Sequence, residues 1–237
     1  MVFDIKNRSI YEWGLPFVLV LISVFIFFPC IENGWVQWDD QKYILDNPLV
    51  GNFSWEIISD NFTTLTMGAY HPLTTLSYCI DYEISGYSPG SFHITNFILH
   101  IINVLLVFVF TLKLKNNLII AFIASLLFSI HPMHVESVAW VSGRKDMLMA
   151  LFFILGLISY IESFEGNQKK WLNITFICFV LSLLSKGTAI VFPFVLLLLD
   201  FFKNGITKKD ILNKAHFIII AILFAFIAKN GQQAVEA

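Results

Sequence analysis

The sequence predicts an all-α membrane protein, a polytopic helical bundle of about seven spans with a long first outer loop. Three observations carry this expectation. Of 237 residues, 57% are hydrophobic and 25 are Phe. Charged residues make up 14%, against roughly 25% in an ordinary soluble domain. Apolar, charge-free stretches recur along the whole length. A water-soluble core of this size needs a polar skin that this composition cannot supply. A soluble globular enzyme, a disordered chain and a secreted disulfide scaffold are therefore excluded. Fifteen Lys and Arg against seventeen Asp and Glu leave a net charge of −2, with no basic field for nucleic acid. Cys30, Cys79 and Cys178 are odd in number, lack metal-ligand spacing, and read as small apolar fillers.

The spans come in order, each judged against the roughly 20 apolar residues that cross a bilayer. Trp13 to Ile31 is the first. Its trailing end, Pro29-Cys30-Ile31-Glu32-Asn33-Gly34, offers no small-x-small cleavage site, so it reads as an uncleaved anchor. Ile84 to Leu112 is the second, its helix expected from near Ser91. Leu118 to Ile130, Met147 to Ile161, Trp171 to Leu184, Gly187 to Leu199 and Ala215 to Ala228 complete the set. Several are short, which implies little tilt, a re-entrant path or borrowed flanking residues.

Orientation is set by cations in the short loops. With the N-terminus inside, the inner segments hold ten: Lys6, Arg8, Lys113, Lys115, Lys169, Lys170, Lys203, Lys208, Lys209 and Lys214. The outer ones hold five: Lys42, Arg144, Lys145, Lys186 and Lys229. The N-terminus is therefore expected in the cytoplasm. The stretch from about 32 to 90, with eight acids and one Lys, is expected on the periplasmic or lumenal face. Within it, Phe53 to Phe62 reads as an amphipathic helix along the membrane surface.

Polar groups near a membrane are costly and so are functional candidates. Asp39-Asp40 offers paired carboxylates that suit a general base or a divalent cation, and equally suit solvated loop acids. His71 precedes Pro72, which holds it extended; a turn residue is the simpler reading. His131, His134 and Glu136 lack a third ligand fixed by spacing, so no metal site is assigned. Arg144 and Lys145 run against the positive-inside trend. They suit a phosphate or a pair of surface anchors. Lys186 suits a phosphate or snorkelling. His93, Asn96, His100 and Asn103 fall within about 80° of one helical face. That face should point into the bundle, for interhelical hydrogen bonds or to line a polar cavity.

These segments together resemble a known family. They are Trp38-Asp39-Asp40-Gln41-Lys42-Tyr43-Ile44-Leu45 with Asn47-Pro48; Tyr70-His71-Pro72-Leu73; Phe92-His93 with Asn96 and His100; and His131-Pro132-x-His134-x-Glu136-x-Val138 leading to Gly143-Arg144-x-Asp146. In order and spacing they are similar to the membrane half of the transmembrane and tetratricopeptide-repeat proteins and their bacterial relatives. These belong to the GT-C class of integral-membrane glycosyltransferases. The resemblance covers roughly residues 30 to 230 and implies a single GT-C-like domain over 1–237. The tetratricopeptide repeats of the family are absent from this sequence, which implies a fragment.

The resemblance further implies transfer of a mannose-like sugar from a polyprenyl-phosphate donor to an acceptor hydroxyl, as on protein Ser or Thr, by inverting displacement. It assigns Asp39 and Asp40 to catalysis, Arg144, Lys145 and Lys186 to the donor phosphate, and His71, His93, His131, His134, Glu136 and Asp146 to the substrate pocket. The acidic pair permits a divalent cation as cofactor, and nothing in the spacing demands one. Expected partners are the lipid-linked sugar, an acceptor protein and membrane lipid. Two other readings stand beside this one. A non-catalytic anchor for tetratricopeptide repeats would tolerate loss of either Asp. A transporter or flippase would call for inverted repeats, which the sequence does not display.

Overall fold

A computed structural model describes residues 10–236; Lys6 and Arg8 of the orientation count lie outside the described residues. Every regular element among the described residues is helical. Helix α1 (Ile10–Phe27) tightens into a 3-10 turn (Phe28–Glu32) at Pro29. The outer segment holds a wide turn (Gln41–Leu45), α2 (Trp55–Thr63) and α3 (Pro72–Ser85). Then come α4 (Pro89–Lys115), α5 (Leu118–Ile130), α6 (His134–Ala139), a 3-10 turn (Val141–Gly143) and α7 (Arg144–Glu162). The chain continues through α8 (Gln168–Ser185), a 3-10 turn (Gly187–Val191), α9 (Phe192–Asn204), α10 (Lys208–Asn213) and α11 (Ala215–Glu236).

Local chemistry sets these boundaries. Pro89 starts α4 two residues before the expected Ser91, since a missing N–H costs nothing in a first turn. Asn116 ends α4 in the left-handed region, with φ 48° and ψ 39°. Asn117 then caps α5, its side chain accepting from the Ile119 and Ile120 N–H groups. Ser54 caps α2 by accepting from the Ile57 N–H, close to the expected amphipathic piece.

A helix stands at each of the seven expected positions, with two departures nearby. The sixth stretch is broken. Gly187–Val191 forms a 3-10 turn, and α9 begins only at Phe192 and runs past Leu199 to Asn204. Pro193 cannot sit in mid-helix but fits the first turn of α9. The outer segment also holds a second helix, α3, that the periodicity did not predict. It buries Thr74, Thr75 and Asp81 along with Tyr78 and Cys79.

Helix α4 is the axis of the molecule and packs against α1, α5 and α7, while α7 pairs along its length with α8. Leu19, Val104, Phe108, Leu112 and Ala121 fill the α1–α4–α5 side. Phe179, Leu183, Phe192, Leu196 and Phe217 fill the other side, among α8, α9 and α11. Gly156 permits this second cluster, because a Cβ there would lie 2.8 Å from Cζ of Phe192. Facing outward on α1, Phe17, Leu21 and Phe25 are each at least half exposed. A hydrocarbon solvent favours such outward apolar faces, whereas water disfavours them. Gly14–Glu32 and Pro89–Lys115 are long and apolar enough to cross a membrane; Leu118–Ile130 and Ala215–Gly231 are apolar but shorter.

Candidate active site

Four pieces of chain meet at the end of the bundle where α4 begins: the Trp35–Tyr43 loop, the first turn of α3, the first turn of α7 and the last turn of α8. Thr74 Oγ1 donates to the Ser185 carbonyl at 2.9 Å, tying α3 to α8. Val141 and Phe92 join Ile44, Val50 and Tyr78 in one apolar cluster beneath the loop. Gly143 makes the entry to α7 possible. A Cβ there would lie 2.8–2.9 Å from the Ser137 and Glu136 backbone.

Arg144 is fully buried at this junction. Its Nε donates to Asn96 Oδ1 at 2.8 Å. Nη1 donates to the Ser77 carbonyl at 3.1 Å and to Ser77 Oγ at 3.3 Å. Nη2 donates to the Phe92 carbonyl at 2.8 Å and pairs with Asp81 Oδ2 at 2.5 Å. Of the five N–H donors of the guanidinium, four are in hydrogen bonds, and Asp81 lies against the charge as an ion pair. The rings of Tyr78 and Phe92 flank it at 4.7 and 5.6 Å. Arg144, expected at the donor phosphate, is thus enclosed within the bundle with its charge matched by Asp81.

The two adjacent acids divide in the same way. Asp40 is fully buried. Its Oδ1 accepts from the Ser142 N–H and its Oδ2 from the Val36 N–H, both at 3.0 Å. Asp40 thus pins the loop to the entry of α7. Asp39 is partly exposed, pairs with Lys145 at 3.5 Å, and lines an open cavity of about 610 Å³ with Trp38, Lys42, Asp46 and Met67. The two carboxylates do not face one another across a site, so a cation bridging the pair has no support in this geometry.

Lys145 also lies over the Tyr43 ring at 4.7 Å. Its neighbour Asp146 pairs with Lys186 at 2.5 Å, both side chains 29% exposed. His71 sits between these groups. Its ring is 5.1 Å from that of Tyr43, and its buried Nε2 has no hydrogen-bond partner. Burial, with the charges of Lys145 and Lys186 adding to it, lowers its pKa from 6.5 to about 4. At neutral pH His71 is uncharged. Asp39, Lys145, Asp146, Lys186 and His71 are thus one half-open cluster of two acids, two cations and a neutral imidazole.

The remaining candidates lie elsewhere. His93, Asn96, His100 and Asn103 are fully buried, as a face turned into the bundle requires. Asn96 donates to the Trp140 and Val141 carbonyls, Asn103 to that of Met147, and His100 contacts that of Ser129. His93 is enclosed with neither ring nitrogen hydrogen-bonded. Asn96, His100 and Asn103 thus make contacts between helices. His134 is half-buried beside the His100 and Phe128 rings, and His131 and Glu136 are exposed around α6. They belong to the α4–α5–α6 corner, outside the cluster. No group of three metal-ligating side chains converges among the described residues.

Two participants escaped the sequence reading. Asp81 carries the counter-charge of Arg144, and its signal was a single acid after the uncharged run from Leu73 to Ile80. Tyr43 touches both Lys145 and His71; it stands in the Trp38–Leu45 segment that carries the resemblance, but no role was assigned to it there.

Fold and cluster together describe an all-helical membrane protein with acids and ammonium groups gathered at one end of the bundle. The family model for dolichyl-phosphate-mannose-protein mannosyltransferase matches residues 72–230, and the chain belongs to that family. A Caenorhabditis elegans protein O-mannosyl-transferase is 28% identical over 98% of this chain and 34% of its own length. The Drosophila melanogaster protein O-mannosyl-transferase Tmtc2 is 33% identical over 78% of this chain and 22% of its own. Homo sapiens protein O-mannosyl-transferase TMTC4 is 39% identical over 43% and 16%. The chain thus spans about a third or less of these relatives. No solved structure matches it significantly.

Proposed function

We propose that this chain is the membrane domain of a multi-pass glycosyltransferase that moves a mannose-like sugar from a polyprenyl phosphate to a protein hydroxyl. One observation carries the reading: Asp39 is a partly exposed acid, paired with a cation, that borders the open cavity. In this reading the acceptor Ser or Thr enters that cavity. Asp39 accepts its proton as the oxygen attacks the anomeric carbon. The bond to the polyprenyl phosphate breaks, and Lys145 and Lys186 receive the charge that builds on the leaving phosphate. They are compact cations held only by partly exposed carboxylates, so phosphate can compete for them. Asp146 holds Lys186 until the donor arrives. A single displacement inverts the anomeric centre. The counted Lys and Arg bias supports a cytoplasmic N-terminus and puts this cluster on the periplasmic or lumenal side.

The test is sugar transfer to protein in membranes carrying the chain, with labelled polyprenyl-phosphate mannose and polyprenyl-phosphate glucose. Transfer that Asp39→Asn abolishes while the protein stays folded supports the assignment. Retained anomeric stereochemistry excludes single displacement. Full activity of Asp39→Asn shows that the base is elsewhere, and no transfer by the wild type from either donor favours the anchor reading.

A further inference from the structure

The opposite end of the bundle carries a second cavity, of about 660 Å³, which the transfer reaction does not use. Its walls are the end of α4, the end of α7 and α9. Lys113, Lys115 and Lys203 line it, with Leu114, Phe164 and Phe202 among its apolar contacts and Glu165 as its one acid. Lys113 forms an ion pair with Glu162, which joins α4 to α7. Lys203 lies 3.6 Å from the Phe164 ring centroid. No carboxylate pairs with Lys115 or Lys203 among the described residues. The volume is in the range of ordinary ligand pockets, roughly 300–1,000 Å³.

The position of this cavity says what kind of ligand fits. From Arg144 to Ile161, α7 rises about 26 Å at 1.5 Å per residue. That is close to the roughly 30 Å thickness of a bilayer's hydrocarbon core. With the Asp39–Lys145 cluster at one membrane face, the cavity is at the other. From its mouth an exposed apolar stripe runs back along α9 toward mid-bundle: Phe202, Phe201, Leu198 and Phe194, each at least half exposed. Their spacing confines them to about 100° of the helix surface. A basic cup at the face continuous with an apolar track along the hydrocarbon matches a head group and its acyl chain.

We infer that this cavity binds an anionic phospholipid of the inner leaflet, its phosphate against Lys115 and Lys203 and an acyl chain along Phe202, Leu198 and Phe194. The inference rests on the bundle spanning the membrane, not on Asp39 being the base. The two fail separately, because Asp39→Asn leaves lipid binding untouched if both hold.

The test is native mass spectrometry of the purified chain in detergent. Phosphatidylglycerol is compared with phosphatidylcholine of the same acyl chains. The wild type is expected to retain phosphatidylglycerol about tenfold more than phosphatidylcholine, as two lysines meeting one added charge would give. The double variant Lys115→Gln/Lys203→Gln is expected to lose that preference, and Lys169→Gln/Lys170→Gln, outside the cavity, to keep it. Both pairs are surface lysines, and thermal melts confirm that each variant is folded. Leu114→Trp, which narrows the cavity without changing charge, is expected to lower phosphatidylglycerol retention too. Equal retention of the two lipids by the wild type overturns the inference. So does equal loss in the Lys169/Lys170 control, which would mean a diffuse basic surface. Displacement of the lipid by millimolar inorganic phosphate overturns the lipid assignment in favour of the free anion.

Discussion

Asp39 and Asp40 are sequence neighbours, as are Arg144 and Lys145, yet each pair is divided between two regions. The inner region is a keystone: Arg144 with Asp81, Asn96 and the Ser77 and Phe92 backbone, and Asp40 clasping Val36 and Ser142. The outer region is a rim: Asp39 with Lys145, Asp146 with Lys186, and His71 between them. In the keystone the groups are buried: Arg144 is paired with Asp81, and Asp40 is held by two backbone N–H groups. In the rim the charges are matched loosely, and solvent reaches them. One residue step rotates a helical side chain by about 100°, which separates a buried neighbour from an accessible one. Adjacency in a motif therefore does not mean a shared role. The keystone fixes the loop and the start of α7, and the rim is left to exchange partners.

The sharpest way to break this division is to neutralise one acid from each side. Asp39→Asn is expected to cut sugar transfer by about 10²–10⁴-fold, the usual worth of a general base, with thermal stability close to wild type. Asp40→Asn is expected to reverse the pattern. An amide presents its NH₂ to one of two backbone N–H groups, leaving a buried donor unmet at a cost of about 1–3 kcal/mol. Equal activity loss in both variants, with both stable, would mean that the acids act as a pair after all.

Removing the keystone cation is the next largest effect, and it is one of stability. Arg144→Met leaves Asp81 buried without its partner, and breaking a buried pair from one side costs about 3–5 kcal/mol. Arg144→Lys is not expected to rescue it, because an ammonium cannot reach Asn96, Ser77, Phe92 and Asp81 together. A melting temperature unchanged in detergent, with a raised donor KM, would return Arg144 to the phosphate site.

The division was only partly legible in the sequence. Charge-free stretches located α1, α4, α5, α7, α8 and α11 and part of α9, because hydrocarbon solvent leaves a strong compositional trace. The polar face of α4 was legible too: His93, Asn96, His100 and Asn103 share one face, and the structure buries all four. Helix α3 was not, since its apolar residues are interleaved with Thr74, Thr75 and Asp81, whose burial depends on partners from α4, α7 and α8. For the same reason the sequence placed Arg144 at the donor phosphate together with Lys145 and Lys186. Guanidinium chemistry favours phosphate in general, but here Asp81, 63 positions upstream, already holds it. Spacing along one chain cannot reveal which distant carboxylate fills a donor first.

His71 sharpens the comparison from the side of pH. Its folded-state pKa of about 4, against an ordinary 6.5, means that the unfolded chain takes up a proton the folded chain refuses between those values. Stability from this group is therefore complete above pH 6.5 and falls as pH drops toward 4, by roughly 2 kcal/mol near pH 5. His71→Asn is expected to remove that slope, so the difference between wild-type and variant melting curves should shrink or invert from pH 7 to pH 5. A pH-independent difference would mean that His71 is solvated and not wedged between Lys145 and Lys186.

The smallest effect is the most informative about the rim. Lys186 and Asp146 are each 29% exposed, and partly solvated pairs contribute about 0–1 kcal/mol. Lys186→Gln should therefore melt close to wild type. If Lys186 meets the donor phosphate, the same variant raises KM for polyprenyl-phosphate sugar by about tenfold, one ion contact's worth near 1.4 kcal/mol. Lys186→Arg, which keeps the charge, recovers most of it. Lys145→Gln should behave alike, with an added fall in kcat because Asp39 loses its neighbouring cation. A Lys186→Gln enzyme with unchanged KM and lowered kcat would instead make Lys186 a positioning residue for Asp146. The phosphate would then have to be held by Lys145 alone. The partition between KM and kcat thus decides whether the rim ion pairs open to receive the donor or stay closed as a second keystone.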